Sequence, residues 1–195
     1  LDDLTSGDYI WRTALDGDGD RLVLSQLDAT SGGVDSGSVF TIKFDDTNFT
    51  NPTHVGTIGH TYNSSSYDLS IGTLGSGDSF TSLSLTDDGS RLAVGAMKDD
   101  GANGGHSNAG AVYLITFDQT TNSDGNPSTD FNNPTHVGTI GIDYAPTNTL
   151  TKSLDLGDNG LDILSNNDQF ANSLGLTADG KILACLLYTS DAADE

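Results

Sequence analysis

Cysteine, methionine, tryptophan and basic side chains are scarce in this chain of 195 residues. It has one residue each of the first three types, and 7 lysines and arginines stand against 28 acidic residues, for a formal net charge of −21. A lone cysteine gives no internal disulfide or cysteine-based zinc site. The negative charge repels nucleic acids and anionic membranes, and no apolar run approaches the ~18 residues of a membrane-spanning helix. We therefore expect no nucleic-acid binding and no membrane insertion.

The residues that are abundant favour turns and polar strands. The acids are nearly all aspartate, and glycine, serine, threonine and asparagine are frequent, with 24 glycines. These residues are poor in helix interiors and common in turns. Such a composition is also compatible with disorder, but regular runs of aromatic and β-branched residues argue against it. We predict an all-β fold.

The chain contains internal repeats. The block NPTHVGTIG occurs identically at Asn51–Gly59 and at Asn133–Gly141, and other elements recur around it in the same order. Turn-and-strand elements lie at Leu15–Ser25, Leu85–Gly95 and Leu176–Ala184, and second strands at Ser36–Asp46 and Ala109–Gln119. Each turn-and-strand element carries an Asp-Gly pair, which is a hairpin signal between strands.

Each repeat reads as four antiparallel strands, which predicts blades of a β-propeller that form an incomplete ring. We assign residues 1–77 to a first unit, 78–167 to a second and 168–184 to the start of a third, with an insertion at 120–130. Alternation within the strands presents one aromatic-rich face. We expect Phe40, Phe44, Tyr113 and Phe117 to pack between units.

Residues 185–195 stop following the repeat. They read CLLYTSDAADE and resemble a translated sequencing adapter, so we predict a non-native tail. The chain begins at Leu1 and its one methionine is Met97, so we expect a fragment of a longer protein.

The segment Asp78–Phe117 resembles the FG-GAP repeats of integrin α chains and of large bacterial surface proteins. The resemblance covers roughly residues 7–184 and implies an extracellular propeller for adhesion or ligand binding, often with calcium in its loops. The sequence departs from the family pattern at several points. Phe80 is followed by Thr81 in place of glycine, and Arg21 and Leu24 stand where the family's calcium loop has glycine and aspartate.

Two loops are candidate calcium sites because calcium prefers oxygen ligands. Asp16, Asp18 and Asp20 alternate in the first Asp-Gly turn, where the alternative is an acidic hairpin with Arg21 as counter-charge. Asp99 and Asp100 lie in a polar loop that is alternatively a solvated connection. Asn103 and Asn108 belong to the same loop, and Asp28 and Asp35 to its first-unit counterpart.

No catalytic motif is apparent, and we predict that the chain is not an enzyme. His54 and His136 occupy the same place in the identical block, which indicates a structural role. Trp11 could stack on a sugar, although we expect it in a strand core. We therefore expect a secreted or cell-surface binding or adhesion module that recognises an extracellular protein or glycan. The alternatives are spacer repeats of a surface protein, or a non-catalytic fragment of a propeller hydrolase.

Overall fold

A computed structural model describes residues 9–27, 29–31, 34–119, 131–157, 161 and 163–188, and every regular element in these ranges is a β-strand. This confirms the all-β class. The first unit contains β1 (Ile10–Leu15), β2 (Arg21–Gln26), β3 (Thr30–Ser31), β4 (Val34–Asp35), β5 (Ser38–Lys43), β6 (Thr53–Gly59) and β7 (Leu69–Ser70). The second contains β8 (Phe80–Leu85), β9 (Arg91–Ala96), β10 (Ala111–Asp118), β11 (Asn132–Gly141) and β12 (Leu154–Asp155), and β13 (Leu174–Leu176) and β14 (Leu183–Cys185) follow.

The two large sheets have the same strand order. The first runs β1-β2-β5-β6-β7 and the second β8-β9-β10-β11-β12. In each sheet four strands pair antiparallel in chain order, and a two-residue fifth strand pairs parallel with the fourth. The hairpin of β13 and β14 repeats the first two strands, and β3 and β4 form a small separate hairpin. The predicted four-stranded antiparallel repeat is therefore present, with the parallel strands as an unpredicted addition.

The three Asp-Gly turns join the first and second strands of their units as predicted. Gly19, Gly89 and Gly180 have φ angles of +79°, +63° and +64°. This region of backbone space is accessible to glycine at little cost and is strained for most other residues. The turns therefore fix the pairing of β1 with β2, of β8 with β9 and of β13 with β14.

The identical block NPTHVGTIG builds the same irregularity in both sheets. The register with the preceding strand shifts by one residue at Val55 in β6 and at Val137 in β11. At Gly56 an added Cβ would lie 2.1 Å from the carbonyl oxygen of Tyr67, and at Gly138 it would lie 2.4 Å from the carbonyl carbon of Lys152. Each glycine thus lets the chain that leads to the short parallel strand pass closely over the sheet.

Two apolar clusters join neighbouring units. The first contains Val23, Val39 and Ile58 of the first unit together with Tyr113 and Phe117 of the second. The ring contacts of the two β10 aromatics lie within the second unit, to Phe80, His136 and Tyr144 for Tyr113 and to Phe131 for Phe117, so their packing between units stays a prediction. The second cluster joins the opposite face of the second unit to the last hairpin, and it includes Val112, Phe170, Leu174 and Leu183.

The expectation for the aromatics of β5 is wrong. Phe40 is fully buried but lies outside both clusters, with its ring 5.6 Å from that of His54. Phe44 is half-buried against Phe49 in its own unit, at a ring distance of 5.1 Å. The reason is alternation along the strand, since the neighbouring Val39 points to the face that meets the second unit.

The units pack in series through equivalent contacts. Strands β1 and β2 lie against β8, and β8 and β9 lie in turn against β13. The backbone N–H of Gly17 donates to the carbonyl oxygen of Asp87 at 2.9 Å, and the N–H of Asp87 donates to that of Ala178 at 3.2 Å. The same hydrogen bond therefore occurs once at each junction.

An arginine reaches across each junction to the next Asp-Gly turn. Arg21 donates from Nη1 to the carbonyl oxygen of Asp88, and Arg91 donates from Nη1 to that of Asp179, both at 2.7 Å. A Cβ at Gly89 would lie 2.2 Å from Nη1 of Arg21, and one at Gly180 would lie 2.9 Å from Cδ of Arg91. The turn glycines thus provide the space in which the guanidinium binds.

The outer face of β1 has no such neighbour among the described residues. Trp11 is 46% exposed, with the guanidinium of Arg12 at 4.8 Å from its ring centre, so the prediction of a strand-core tryptophan is wrong. The physical reason is position, because the first unit covers β8 whereas no strand among the described residues covers the outer face of β1.

Several predicted features lie outside the described residues. They are the insertion at 120–130, Asp28, and positions 189–195 of the predicted tail. Cys185, the first residue of that tail, is the last residue of β14.

Candidate functional site

Asp16, the first calcium candidate, caps its own turn. Its Oδ1 accepts hydrogen bonds from the backbone N–H groups of Gly19 at 2.9 Å and Arg21 at 3.2 Å, and its Oδ2 lies 3.6 Å from Nε of Arg21. Burial raises the pKa of the Asp16 carboxyl; the hydrogen bond from Arg21 opposes this rise and the charge of Asp20 reinforces it. Both carboxylate oxygens therefore already take part in the turn.

The equivalent turns show that this capping does not need an acid. In the second unit, the hydroxyl oxygen of Thr86 accepts the N–H of Arg91 at 3.0 Å. In the third, the hydroxyl oxygen of Thr177 accepts the N–H of Ile182 at 3.1 Å. Asp16 and the two threonines hold the same place relative to the Asp-Gly pair, so the side chain at this position closes the turn in all three units.

Asp18 and Asp20 flank the turn glycine. Asp18 is exposed, and Oδ1 of Asp20 lies 3.8 Å from Nε of Arg21. Across the described ranges, no group of three or more His, Cys, Asp or Glu side chains is arranged to hold a metal ion. The structure thus places Asp16 and Asp20 around Arg21, as in the hairpin alternative, and calcium at this turn stays a prediction.

The second candidate loop contains a buried carboxylate. Asp99, three residues after β9, is 1% exposed and accepts hydrogen bonds from the hydroxyls of Tyr113 and Tyr144 at 2.5 and 3.0 Å. The backbone N–H of Gly101 donates to it at 2.8 Å. The tyrosine hydroxyls themselves lie 3.2 Å apart. Burial raises the pKa values of both tyrosines, so their hydroxyls keep their protons and remain donors.

A second buried acid lies in the same region. Asp78 precedes β8, is 3% exposed, and accepts the backbone N–H of Gly75 at 2.6 Å. Burial, with the negative charges of Asp99 and Asp100, raises the pKa of Asp78 to about 7. Burial likewise raises the pKa of Asp99, against the hydrogen bonds that it accepts. Both carboxyl groups therefore favour the protonated form more than exposed aspartates do.

Asp100 serves a different purpose from its neighbour. Its Oδ1 accepts the backbone N–H of Asn108 at 2.7 Å, and its carbonyl oxygen accepts the N–H of His106 at 2.8 Å. These bonds close the loop on itself. Asp99 is buried among tyrosines while the Asp100 carboxylate braces the loop, so calcium binding by this pair also stays a prediction.

The first unit lacks the buried carboxylate and one of its tyrosines together. The turn alignment places Ala29 at the position of Asp99, and the strand register places Phe40, opposite Leu24, at the position of Tyr113, opposite Val94. Both replacements are apolar and buried. The second unit thus has both the buried carboxylate of Asp99 and the tyrosine hydroxyl that donates to it, and the first unit has neither. This paired replacement is visible when the repeats are aligned, and the sequence analysis missed it.

The polar side chains of the second loop connect neighbouring segments. Asn103 donates to Asp143 at 3.2 Å, and Nε2 of His106 lies 3.4 Å from the same carboxylate. Asn108 donates to Asn167 at 3.3 Å, which ties the loop to the end of the second unit. In the first unit Asp35 contributes its carbonyl oxygen, which accepts the N–H of Gly77 at 2.7 Å. These contacts indicate a braced loop.

The two histidines of the identical block make the same contacts. Nε2 of His54 lies 3.1 Å from the carbonyl oxygen of Gly56 and 3.2 Å from the hydroxyl of Thr57. Nε2 of His136 lies 3.1 Å from the carbonyl oxygen of Gly138 and 2.8 Å from the hydroxyl of Thr139. Burial lowers the pKa of His136. Both rings therefore brace the bulge of their strand.

A groove of about 550 Å³ lies between the second sheet and the last hairpin. Leu114, Val137 and Leu176 contribute to its apolar wall. Three of the chain's 7 basic residues also line it, namely Arg91, Lys152 and Lys181. Lys181 is paired with Asp179 at 2.9 Å. Although the chain as a whole is acidic, basic side chains are therefore concentrated beside an apolar surface in this groove.

Comparison with protein-family models, with curated proteins and with solved structures gives no match for this chain. Within the described ranges, no helix has the length and apolar character needed to span a membrane.

Proposed function

We propose that this chain is part of an extracellular β-propeller repeat protein and serves as a binding or adhesion module without catalytic activity. The observation that carries the proposal is the serial packing of equivalent sheets. Propellers arrange four-stranded antiparallel sheets around an axis. The contacts of β1 with β8 and of β8 with β13 bring the first strands of successive units together, as expected for strands that line such an axis.

The groove is the surface that best fits a ligand. An apolar wall with three cationic side chains suits a ligand that carries a carboxylate or sulfate beside an apolar face, such as an acidic glycan. The test is binding of the full chain to an array of acidic and neutral glycans. Lys152→Ala should weaken binding to acidic glycans, whereas Lys98→Ala, an equal charge change on an exposed residue outside the groove lining, should leave it intact. Equal loss in both variants would contradict a site in the groove.

We also propose that calcium stabilises the module through the acidic loops. Thermal unfolding of the full chain would be compared in EDTA, calcium and magnesium. A specific site gains about 2.7 kcal/mol at a hundredfold excess of calcium over its Kd. If the first turn is the site, Asp18→Asn abolishes this gain, while Asp88→Asn, at the equivalent turn position, retains it.

A spacer function is the second candidate, and the Asp-Gly turns favour it. The same backbone N–H is capped by Asp16 in one unit and by threonine in the other two, which describes a structural rather than a metal-binding acid. An unfolding midpoint that is insensitive to calcium, together with no retention on any glycan, would select the spacer over the binding module.

A further inference from the structure

The outer face of β1 and the turn that follows it carry one half of a contact that the chain uses twice internally. We call this surface the β1 face and define it by Ile10, Trp11, Leu15, Asp18 and Gly19. At the first internal junction, the equivalent surface of the second unit receives Arg21 on the carbonyl oxygen of Asp88. At the second junction, Arg91 donates a hydrogen bond to the carbonyl oxygen of Asp179 on the equivalent surface of the third unit.

The receiving position on the β1 face is open. Among the residues that the structure describes, none donates a hydrogen bond to the carbonyl oxygen of Asp18. A Cβ at Gly19 would meet only Cδ2 of Leu15, at 3.9 Å, whereas at Gly89 it would lie 2.2 Å from the guanidinium of Arg21. The backbone conformation is the same, with positive φ at both glycines. The space for a guanidinium is therefore present at the first turn, and none of the residues that the structure describes fills it.

The apolar part of the β1 face is also unmatched. The β-sheet register aligns Ile10 with Phe80 and Leu15 with Leu85. The two β8 side chains are 0% and 8% exposed, while the two β1 side chains are 42% and 43% exposed. The same positions are thus buried wherever a preceding unit covers them. The β1 face therefore corresponds to a surface that is covered at both internal junctions of the chain.

A second copy of this chain lacks a suitable arginine. In that copy Arg21 and Arg91 already bind the next turns, and the third unit has Ile182 at the equivalent position, 64% exposed. We propose that the β1 face docks one further repeat unit of this type that carries an arginine at the position of Arg21 and Arg91. The guanidinium of that arginine donates to the carbonyl oxygen of Asp18 over Gly19, and the unit covers Trp11. This inference rests on the serial packing of the proposed function.

The test adds such a unit and follows Trp11, the only tryptophan of the chain. A second copy of residues 78–167 is joined in tandem ahead of Asp8, which leaves residues 8–195 intact and adds no tryptophan. Docking shifts the Trp11 emission to shorter wavelength and lowers its quenching by acrylamide relative to the original chain. An emission and quenching unchanged from the original chain overturn the proposal, whether or not the added unit folds.

Two matched variants separate specific docking from nonspecific cover. Arg91→Ala in the added copy alone, or Gly19→Ala, should restore acrylamide quenching toward that of the original chain. Retained protection in both variants overturns the arginine-mediated contact. Concentration-dependent protection of Trp11 in the unextended chain would show a second copy as the occupant, and protection by a glycan would show a sugar, and either result overturns the proposal. Calcium and glycan binding by the original chain are separate readouts, so the proposed function can fail while docking holds.

Discussion

The buried pair of Asp99 and Tyr113 should behave as one energetic unit. The perturbation is a double-mutant cycle of Asp99→Ala, Tyr113→Phe and their combination. The first unit already carries the product of both changes, Ala29 and Phe40. Asp99→Ala leaves the Tyr113 hydroxyl without its carboxylate acceptor, and Tyr113→Phe removes one of the donors to Asp99, whereas the combination removes both members of this hydrogen bond.

The structure sets the order of the three variants. A buried hydrogen bond to an acid contributes about 1.5–3 kcal/mol, and a stranded buried polar group costs about 1–3 kcal/mol. Asp99→Ala removes the acceptor for Tyr113, Tyr144 and Gly101, so it should cost more than Tyr113→Phe, which removes one donor. The double variant should be more stable than the sum of the single costs predicts, by about 1–2 kcal/mol.

The assay is denaturant unfolding of the full chain for all four proteins at one pH. The reverse exchange in the first unit, Ala29→Asp with Phe40→Tyr, provides the matched control, and there too the double variant should be less destabilised than the sum of its singles. Additive costs within about 0.3 kcal/mol in the second unit would show that Asp99 and Tyr113 are not energetically coupled, since independent sites add to that accuracy.

Three further changes test other contacts. Asp78→Asn should flatten the pH dependence of stability. Because the pKa of about 7 lies above the ordinary 3.8, protonated Asp78 stabilises the fold below pH 4, and up to about 4 kcal/mol is lost as the pH rises from about 4 through 7, which urea titrations at pH 4 to 8 would measure. Arg21→Ala should lower the free energy of unfolding by about 2 kcal/mol and Arg21→Lys by less, as judged by the denaturant midpoint. Gly89→Ala should lower the melting temperature much more than Gly104→Ala, where φ is also positive at +66° but an added Cβ meets nothing within 4 Å; equal effects would contradict the arginine contact.

The strand pattern and the turns could be predicted because they are local. Glycine at the Asp-Gly turns needs only its own backbone conformation, and the predicted antiparallel strands appear around all three turns. The repeated NPTHVGTIG block also announces repeated structure, and its bulge recurs at Val55 and Val137.

The short parallel strands could not be predicted because long-range contacts hold them. In the first unit, Asp68 accepts the backbone N–H of Thr57 at 2.8 Å beside Leu69–Ser70. In the second, the hydroxyl of Ser153 accepts the N–H of Thr139 at 3.0 Å. The two acceptors differ chemically, and a two-residue strand has no periodicity to detect.

The candidate sites were harder to predict than the fold. The sequence shows where the acidic residues occur along the chain, but it does not show which way their side chains point. Asp99 and Asp100 are adjacent in sequence, yet one is buried among tyrosines and the other caps a loop. The exposure of Trp11 likewise depends on what covers β1, which alternation within that strand does not encode.

The serial packing of equivalent units is most directly tested by through-hydrogen-bond couplings in NMR. We expect a coupling from the amide nitrogen of Gly17 to the carbonyl carbon of Asp87, and a second from the amide nitrogen of Asp87 to the carbonyl carbon of Ala178. Observation of both would establish that the two junctions use one contact. Absence of both, with fast solvent exchange of the two amide protons, would contradict the serial packing of the units.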